Sequence, residues 1–468
     1  MYERLLDDHQ RIQQILASVL DDSVHFLSTL GSRPAGCVPP ATIAETLPQA
    51  GIGATATLDL FRSKYADWMS GAAGPHYFGL VTGGATPASI VGDWLTTIYD
   101  QNATGSNDSI ASQIELVAIG LLRELFGLSE AHAGVFVSGA TMANFVGLAT
   151  GRQWLGHRRG VDIAQSGLSG LPPIRVLCGT PHSSVYKACA MLGIGRDCLE
   201  RIATLPNREA VDVASLRKRL VELSDSGQPC LVVGNAGTVN SVDYDDLNAL
   251  ADLCHKFEVW LHVDAAFGGF AACVPEKQSL VAGIDRADSI TIDAHKWLNV
   301  PYDSAMVFTR HLQLQREVFQ NSAAYLEADP TPTNFVNLTP ENSRRFRALP
   351  AWFTLMAYGR EGYREVVMRN CKIAEEIGEL LQSSDRFQLL APVRMNGIVF
   401  TLAVDTATHS SVQEYLHRVQ FGGVLYMTPT EYFAVPAIRL SVTNWRTTQQ
   451  DVSKVWSGML SALDSDST

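Results

Sequence analysis

The sequence predicts an α/β protein: a large domain on a mostly parallel sheet covered on both faces, then a smaller α+β domain. Three observations carry that expectation. From about residue 115, apolar stretches of strand length alternate with stretches of helical periodicity, the order that crossover units impose. The strand candidates are apolar almost without interruption, as in "PCLVVGNA", which fits burial on both faces. The pattern then changes after the Pro/Thr/Asn-rich "EADPTPTNFVNLTPENS", a loop of the length usually reserved for function.

Each element has its own signal. "QIELVAIGLLRELFGL" has helical spacing and ends near Gly127, and "AGVFVSG" is a short β-branched run stopped by glycine. "TMANFVGLATGRQWLGHR" is helical, "IRVLCGT" is a strand, and "SSVYKACAMLGI" is helical again. The helix "DVASLRKRLVELSDSG", the strand "PCLVVGNA", the helix "YDDLNALADLCHKF" and the strand "VWLHVDAAF" continue the alternation. "SITIDAHK" and "SAMVFTR" are joined by "WLNVPYD", too short for a helical crossover, so they should pair antiparallel. A long helical region from "WFTLMAYG" to "ELLQSS" follows the loop, and "FQLLAP", "GIVFTLAV" and "AIRLSVTN" supply strands of the second domain. The expected division is 1–77 as an N-terminal helical segment, 78–345 as the large domain and 346–468 as the small one.

Composition excludes several classes. A formal charge of −12 argues against nucleic acid as the main partner. No run of 18 apolar residues occurs, so no membrane span is expected, and the acids spread through "MYERLLDDHQRIQQILASVLDD" do not suit a signal peptide. The eight cysteines show neither CxxC pairing nor His-flanked metal spacing. Buried free thiols, no metal site and a cytoplasmic location are the expectations.

Four features fall where strands end and loops meet helix N-termini, the ligand-binding edge of an open parallel sheet. In "VFVSGATMANF", Gly139, Ala140 and Thr141 open a helix with small residues, suited to a phosphate group or simply to a helix cap. His182 in "CGTPHSSVYKA" can cap its helix or stack on an aromatic ligand. Asp264 ends an apolar strand ahead of Ala265 and Ala266. Its carboxylate needs either an internal arginine or a protonated ring nitrogen of a cofactor. Lys296 sits in an apolar run, where an ammonium is costly unless paired or neutralised. Imine formation would relieve that burial, and pyridoxal phosphate offers the aldehyde, phosphate and ring nitrogen that the four features would serve together.

"HVDAAFGG", with Lys296 of "DAHKWL" 32 residues beyond Asp264, resembles the group II pyridoxal-phosphate amino-acid decarboxylases. That family includes the aromatic-amino-acid, histidine and glutamate decarboxylases. The likeness extends through "PHYFGLVTGGATPASIVGDWL", "GTPHSSVYKA", "GNAGTVNSVDYDDL", "SRRFRALPAWFTLMAYG" and "IRLSVTNWRTT", from about residue 70 to 450 in the family's order. It implies the pyridoxal-phosphate transferase fold of type I and a homodimer with the site at the subunit interface. It also implies Lys296 as the Schiff-base lysine, Asp264 as the pyridinium partner, His182 stacked over the ring and Ala266 against the opposite face. Gly139, Ala140 and Thr141 would hold the phosphate, and Thr238 and His295 would line the site. Met142 stands where relatives carry an acid, and Asp293 where some carry Asn.

The resemblance further implies a substrate wall at Phe78, Leu80 and Thr82, and an arginine, Arg439, that meets the substrate carboxylate or serves the fold. Tyr325 matches the loop tyrosine that protonates Cα, which relatives forming aldehydes replace with phenylalanine. The wall lacks the polar amide of glutamate-specific relatives, so an aromatic or other hydrophobic L-amino acid is the expected substrate. An aminotransferase would share Lys296 and Asp264 without needing the Tyr325 loop. A degenerate regulatory homologue would have lost one of the pair. A nicotinamide oxidoreductase would show GxGxxG at the "VFVSGATMAN" turn, which is absent.

Overall fold

The computed structural model describes residues 2–39, 44–105, 108–321, 334–403 and 407–464. Its central sheet has seven strands: β1 (Ala133–Val137), β2 (Arg175–Cys178), β3 (Leu199–Arg201), β4 (Cys230–Asn235), β5 (Trp260–Asp264), β6 (Ser289–Asp293) and β7 (Ala305–Thr309). They lie in the order β1-β7-β6-β5-β4-β2-β3. Only β7 runs against its neighbours, because the short link from β6 can return the chain only antiparallel. The register Asp293↔Ala305 and Ser289↔Thr309 follows. β4, β5 and β6 are buried along their whole length, as their unbroken apolar sequences require.

Helix boundaries follow local chemistry. Asp212 and Asp246 cap the helices Val213–Asp225 and Leu247–Phe257 by accepting from first-turn N–H groups. Gly127 ends Ala111–Phe126 in a left-handed conformation, φ +67°. The helix Ala140–His157 is buried nearly all round. Gly147 lets it approach β5, since a Cβ there would lie 2.6 Å from the His262 ring.

A second sheet, in the order β10-β11-β9-β8, comprises β8 (Phe387–Leu389), β9 (Gly397–Leu402), β10 (Thr428–Tyr432) and β11 (Val435–Ser441). The long helix Ala348–Ser383 breaks at Gly359. Leu349, Ala351 and Leu355 belong to the large core, whereas Ile373, Ile377 and Leu381 belong to the C-terminal one. The division we propose between residues 345 and 346 therefore lies at the start of a helix that both cores share.

Candidate active site

The carboxyl ends of β2, β5 and β6 bring the predicted residues together. Lys296 lies in the turn Ala294–Trp297 directly after β6. Its Nζ is 3.1 Å from Asp293 Oδ2 and 5.6 Å from the Phe267 ring centre. Burial of the ammonium is thus offset by a carboxylate three residues back. Asp293 also lies 3.3 Å, through Oδ1, from Nε2 of His295. His295 Nδ1 accepts from the Ser304 N–H at 3.2 Å, and its ring stands 4.3 Å from that of Tyr302. Burial pushes the His295 pKa down, against the pull of Asp293.

Asp264 ends β5 without an arginine partner among the described residues. Its Oδ2 accepts from Asn144 Nδ2 at 2.9 Å and its Oδ1 from the Ala266 N–H at 3.2 Å. Ala266 is itself fixed by its carbonyl, which accepts from the Asp293 N–H at 2.8 Å and so ties the end of β5 to that of β6. His182 caps the helix Ser183–Met191, its Nδ1 accepting from Ser184 Oγ at 2.7 Å and Ser184 N at 3.3 Å. It is also in the site: burial lowers its pKa, Asp264 opposes that shift, and the charges of Lys296 and Arg439 add to it.

Gly139 precedes the helix Ala140–His157 with no side-chain cap, so the first-turn N–H groups of Ala140 and Thr141 have no partner within the helix. A Cβ at Gly139 would lie 3.4 Å from the His295 ring, which puts this helix start beside the lysine turn. Thr238 donates to Glu209 at 2.5 Å and accepts from the Asp243 N–H at 2.9 Å. Among the described residues, Arg439 on β11 makes only long contacts, to the Val239 carbonyl at 3.3 Å and Thr428 Oγ1 at 3.4 Å. Its buried Nε has no partner among the described residues, and burial pulls its pKa down. A guanidinium held this loosely has donors to spare for an anion.

The substrate wall divides. Thr82 Oγ1 is 3.1 Å from Tyr302 Oη and so joins the His295 side of the site. Phe78 does not. It exchanges backbone bonds with Tyr426 and Ser441 and buries its ring in the C-terminal core. Leu80 is 59% exposed with φ +48°, and within one chain it closes nothing. Tyr325 lies outside the described residues.

Asn144 and Asn299 escaped sequence reasoning, and Asp293 was noted there without a role; all three are polar residues in buried apolar runs, which was their only signal. Asn299, at φ +56°, donates to the carbonyls of Lys296 and Thr443, both at 3.0 Å, and accepts from the Trp445 N–H at 2.7 Å. Its own carbonyl accepts from the Thr86 N–H at 2.9 Å. Gly83 packs on the same turn so closely that a Cβ would overlap the Lys296 carbonyl oxygen.

A buried lysine beside a carboxylate, an aspartate ending the neighbouring strand, a histidine across from it and a helix start with free N–H groups suit an aromatic aldehyde bearing a phosphate. Together with the sheet order they define a pyridoxal-phosphate enzyme of fold type I. Residues 61–403 match the family described as "Pyridoxal-dependent decarboxylase conserved domain", and the chain belongs to that family. It is a pyridoxal-phosphate-dependent amino-acid decarboxylase.

Relatives agree over most of the chain. An aromatic-L-amino-acid decarboxylase of Bacillus atrophaeus is 28% identical over 475 residues, covering 97% of this chain and 96% of that protein. A histidine decarboxylase of Drosophila melanogaster is 27% identical over 389 residues, covering 79% of this chain and 44% of that protein. The solved structure of Oryza sativa TDC with PLP and tryptamine shares the fold. Its TM-score is 0.89 at 22% identity, with 97% of this chain and 98% of that chain covered.

Proposed function

We propose that the substrate is an aromatic or other hydrophobic L-amino acid, converted to its amine and CO2. The convergence of Lys296, Asp264 and His182 carries this reading, supported by a near full-length likeness to an aromatic-amino-acid decarboxylase. In it, Lys296 would hold the cofactor covalently, Asp264 would meet its ring nitrogen, and His182 and Ala266 would line its ring. The N–H groups of Gly139, Ala140 and Thr141 meet the phosphate, and Thr238 and His295 line the site.

Bound pyridoxal phosphate supplies an electron-withdrawing ring that takes up the bonding electrons released with CO2. The chain's own residues select the reaction. Arg439 grips the substrate carboxylate and so fixes which bond is held for cleavage. Tyr325 delivers the proton to the substrate α-carbon, and its presence favours an amine over an aldehyde. Leu80 and Thr82 line an apolar wall without the amide that a glutamate side chain would need.

A homodimer fits the N-terminal helices. Glu3–Gln10, Ile12–Thr29 and Ala54–Lys64 bury no residue, and Ile12, Leu16, Leu20 and Val24 form an exposed apolar stripe at four-residue spacing. An apolar cavity of 740 Å³ beside it, between Leu20, Phe61 and Trp94, suits a second copy. A cytoplasmic location is supported by eight unpaired cysteines. No helix among the described residues is long and apolar enough to cross a membrane.

The test is purified protein with pyridoxal phosphate and a panel of L-amino acids, measuring CO2 and amine. Release from an aromatic substrate, lost in Lys296→Ala, is expected. A keto acid or aldehyde in place of the amine would overturn the reaction assigned.

A further inference from the structure

A continuous line of buried polar side chains runs behind Asp264. Trp260 Nε1 donates to Ser289 Oγ at 3.0 Å, and Ser289 Oγ lies 2.8 Å from His262 Nδ1. His262 Nε2 is 2.9 Å from Asn144 Oδ1, with Thr291 Oγ1 at 3.4 Å. Asn144 Nδ2 reaches Asp264 Oδ2 and Ser184 Oγ, both at 2.9 Å. Ser184 Oγ in turn meets His182 Nδ1 at 2.7 Å. Asn144, His262 and Ser289 are wholly buried, and Ser184 nearly so.

The ends of the line fix its protons. An indole nitrogen can only donate and a carboxylate can only accept. Ser289 therefore accepts from Trp260 and gives its own hydrogen to His262 Nδ1. His262 then carries its hydrogen on Nε2 and gives it to Asn144 Oδ1. The two amide hydrogens go to Asp264 and Ser184, and the Ser184 hydroxyl points at His182 Nδ1. Burial agrees with a neutral His262, lowering its pKa to about 4.

We propose that Asn144 is the positioning residue of this site: one amide orients Asp264 and, through Ser184, holds His182 with its hydrogen on Nε2. This rests on the reading above, in which Asp264 and His182 contact the cofactor. A helix needing only to pack here would be served by leucine. Five buried polar side chains are tolerable only when every one is satisfied. Gly147 and Gly151 draw the helix close enough for the line to form, since a Cβ at either would press on His262 or Trp260.

Two variants test this. Asn144→Asp is isosteric and keeps the acceptor for His262 but removes both donors. Ser184→Ala cuts only the branch to His182. In cofactor-free protein labelled with ¹⁵N-histidine, proton–nitrogen correlation should find His182 in the Nε2–H form, assigned by the signal missing from His182→Gln. Its Nδ1 resonance should move toward that of an unbonded nitrogen in both variants. Titration with pyridoxal phosphate, followed by tryptophan fluorescence and visible absorption, should show Asn144→Asp binding about tenfold or more weakly, the loss of one hydrogen bond to a charged group. Its visible band should also be altered.

A wild-type His182 in the Nδ1–H form, or His182 resonances unmoved in the variants, would overturn the proposal. So would an Asn144→Asp protein with wild-type affinity and spectrum while Asp264→Ala and Lys296→Ala lose both. If those two also retain wild-type affinity and spectrum, the underlying site reading fails as well.

Discussion

Lys296 and Asp293 form an ion pair across one helical turn, 3.1 Å between Nζ and Oδ2, with the carboxylate only 2% exposed. Two buried charges so placed depend on one another. Asp293→Ala should destabilise the cofactor-free protein by about 3 kcal/mol, the order seen when one partner of a buried pair is removed. On the proposed reading, in which the lysine nitrogen is committed to the cofactor, much of that loss should disappear when pyridoxal phosphate is bound. Thermal denaturation with and without pyridoxal phosphate checks this; equal losses in both would show that Asp293 stabilises the fold other than through the lysine charge, and no loss in either would show that the pair does not matter.

His262 predicts an acid limb of stability. Its folded pKa, about 4, lies below its ordinary value of 6.5, because burial disfavours the charged ring. Between those values the unfolded chain binds a proton that the fold does not, so stability falls as pH drops from 6.5 toward 4. Asp245 acts oppositely: burial raises its pKa from 3.8 to about 6, so the fold binds the extra proton in that window. The two must be separated by mutation. Between pH 7 and 5, wild type should lose about 2 kcal/mol more than His262→Gln in urea melts.

Arg439→Ala should lower kcat/KM roughly 10- to 100-fold, the range expected for hydrogen bonds to a charged group, and leave cofactor affinity unchanged. Arg439→Lys should rescue little, since an ammonium cannot present the guanidinium fork. A parallel drop in cofactor affinity would instead assign Arg439 to the cofactor.

Gly83→Ala should displace the lysine turn, because the added methyl meets the Lys296 carbonyl. The expected result is a folded protein with an altered cofactor spectrum and reduced activity, read by visible absorption beside circular dichroism. Unchanged activity would mean that the turn yields freely.

If the proposed homodimer forms through the exposed N-terminal stripe, Leu16→Glu with Leu20→Glu should leave a monomer in sedimentation velocity, since both residues lie on it. A dimer unaffected by the double change would move the interface elsewhere.

The large sheet was legible because its strands are apolar runs separated by helices of clear period, and because one link was too short for a crossover. β3 and β10 were not. "LER" and "TPTEY" have no apolar pattern, and the hairpin after β10 turns through Phe433 and Ala434 at φ +47° and +61°, without the Asn-Gly signal such turns usually carry. At the site, Lys296, Asp264 and His182 were visible because charged or titratable groups stood at the ends of apolar strands. Their supports were not, because Asn144 and Asn299 act through contacts 120 and 144 residues away. The burial of Phe78 in the C-terminal core was not legible for a related reason: its backbone bonds to Tyr426 and Ser441, far downstream, which no local pattern reveals.

Asn299 also bears on biosynthesis. The turn that carries Lys296 is moored at Thr86, made early, and at Thr443 and Trp445, made long after the lysine itself. A nascent chain paused between residues 300 and 440 therefore has a lysine but no finished mooring for it. Competence to capture the cofactor should arise late in translation, after the second sheet has emerged.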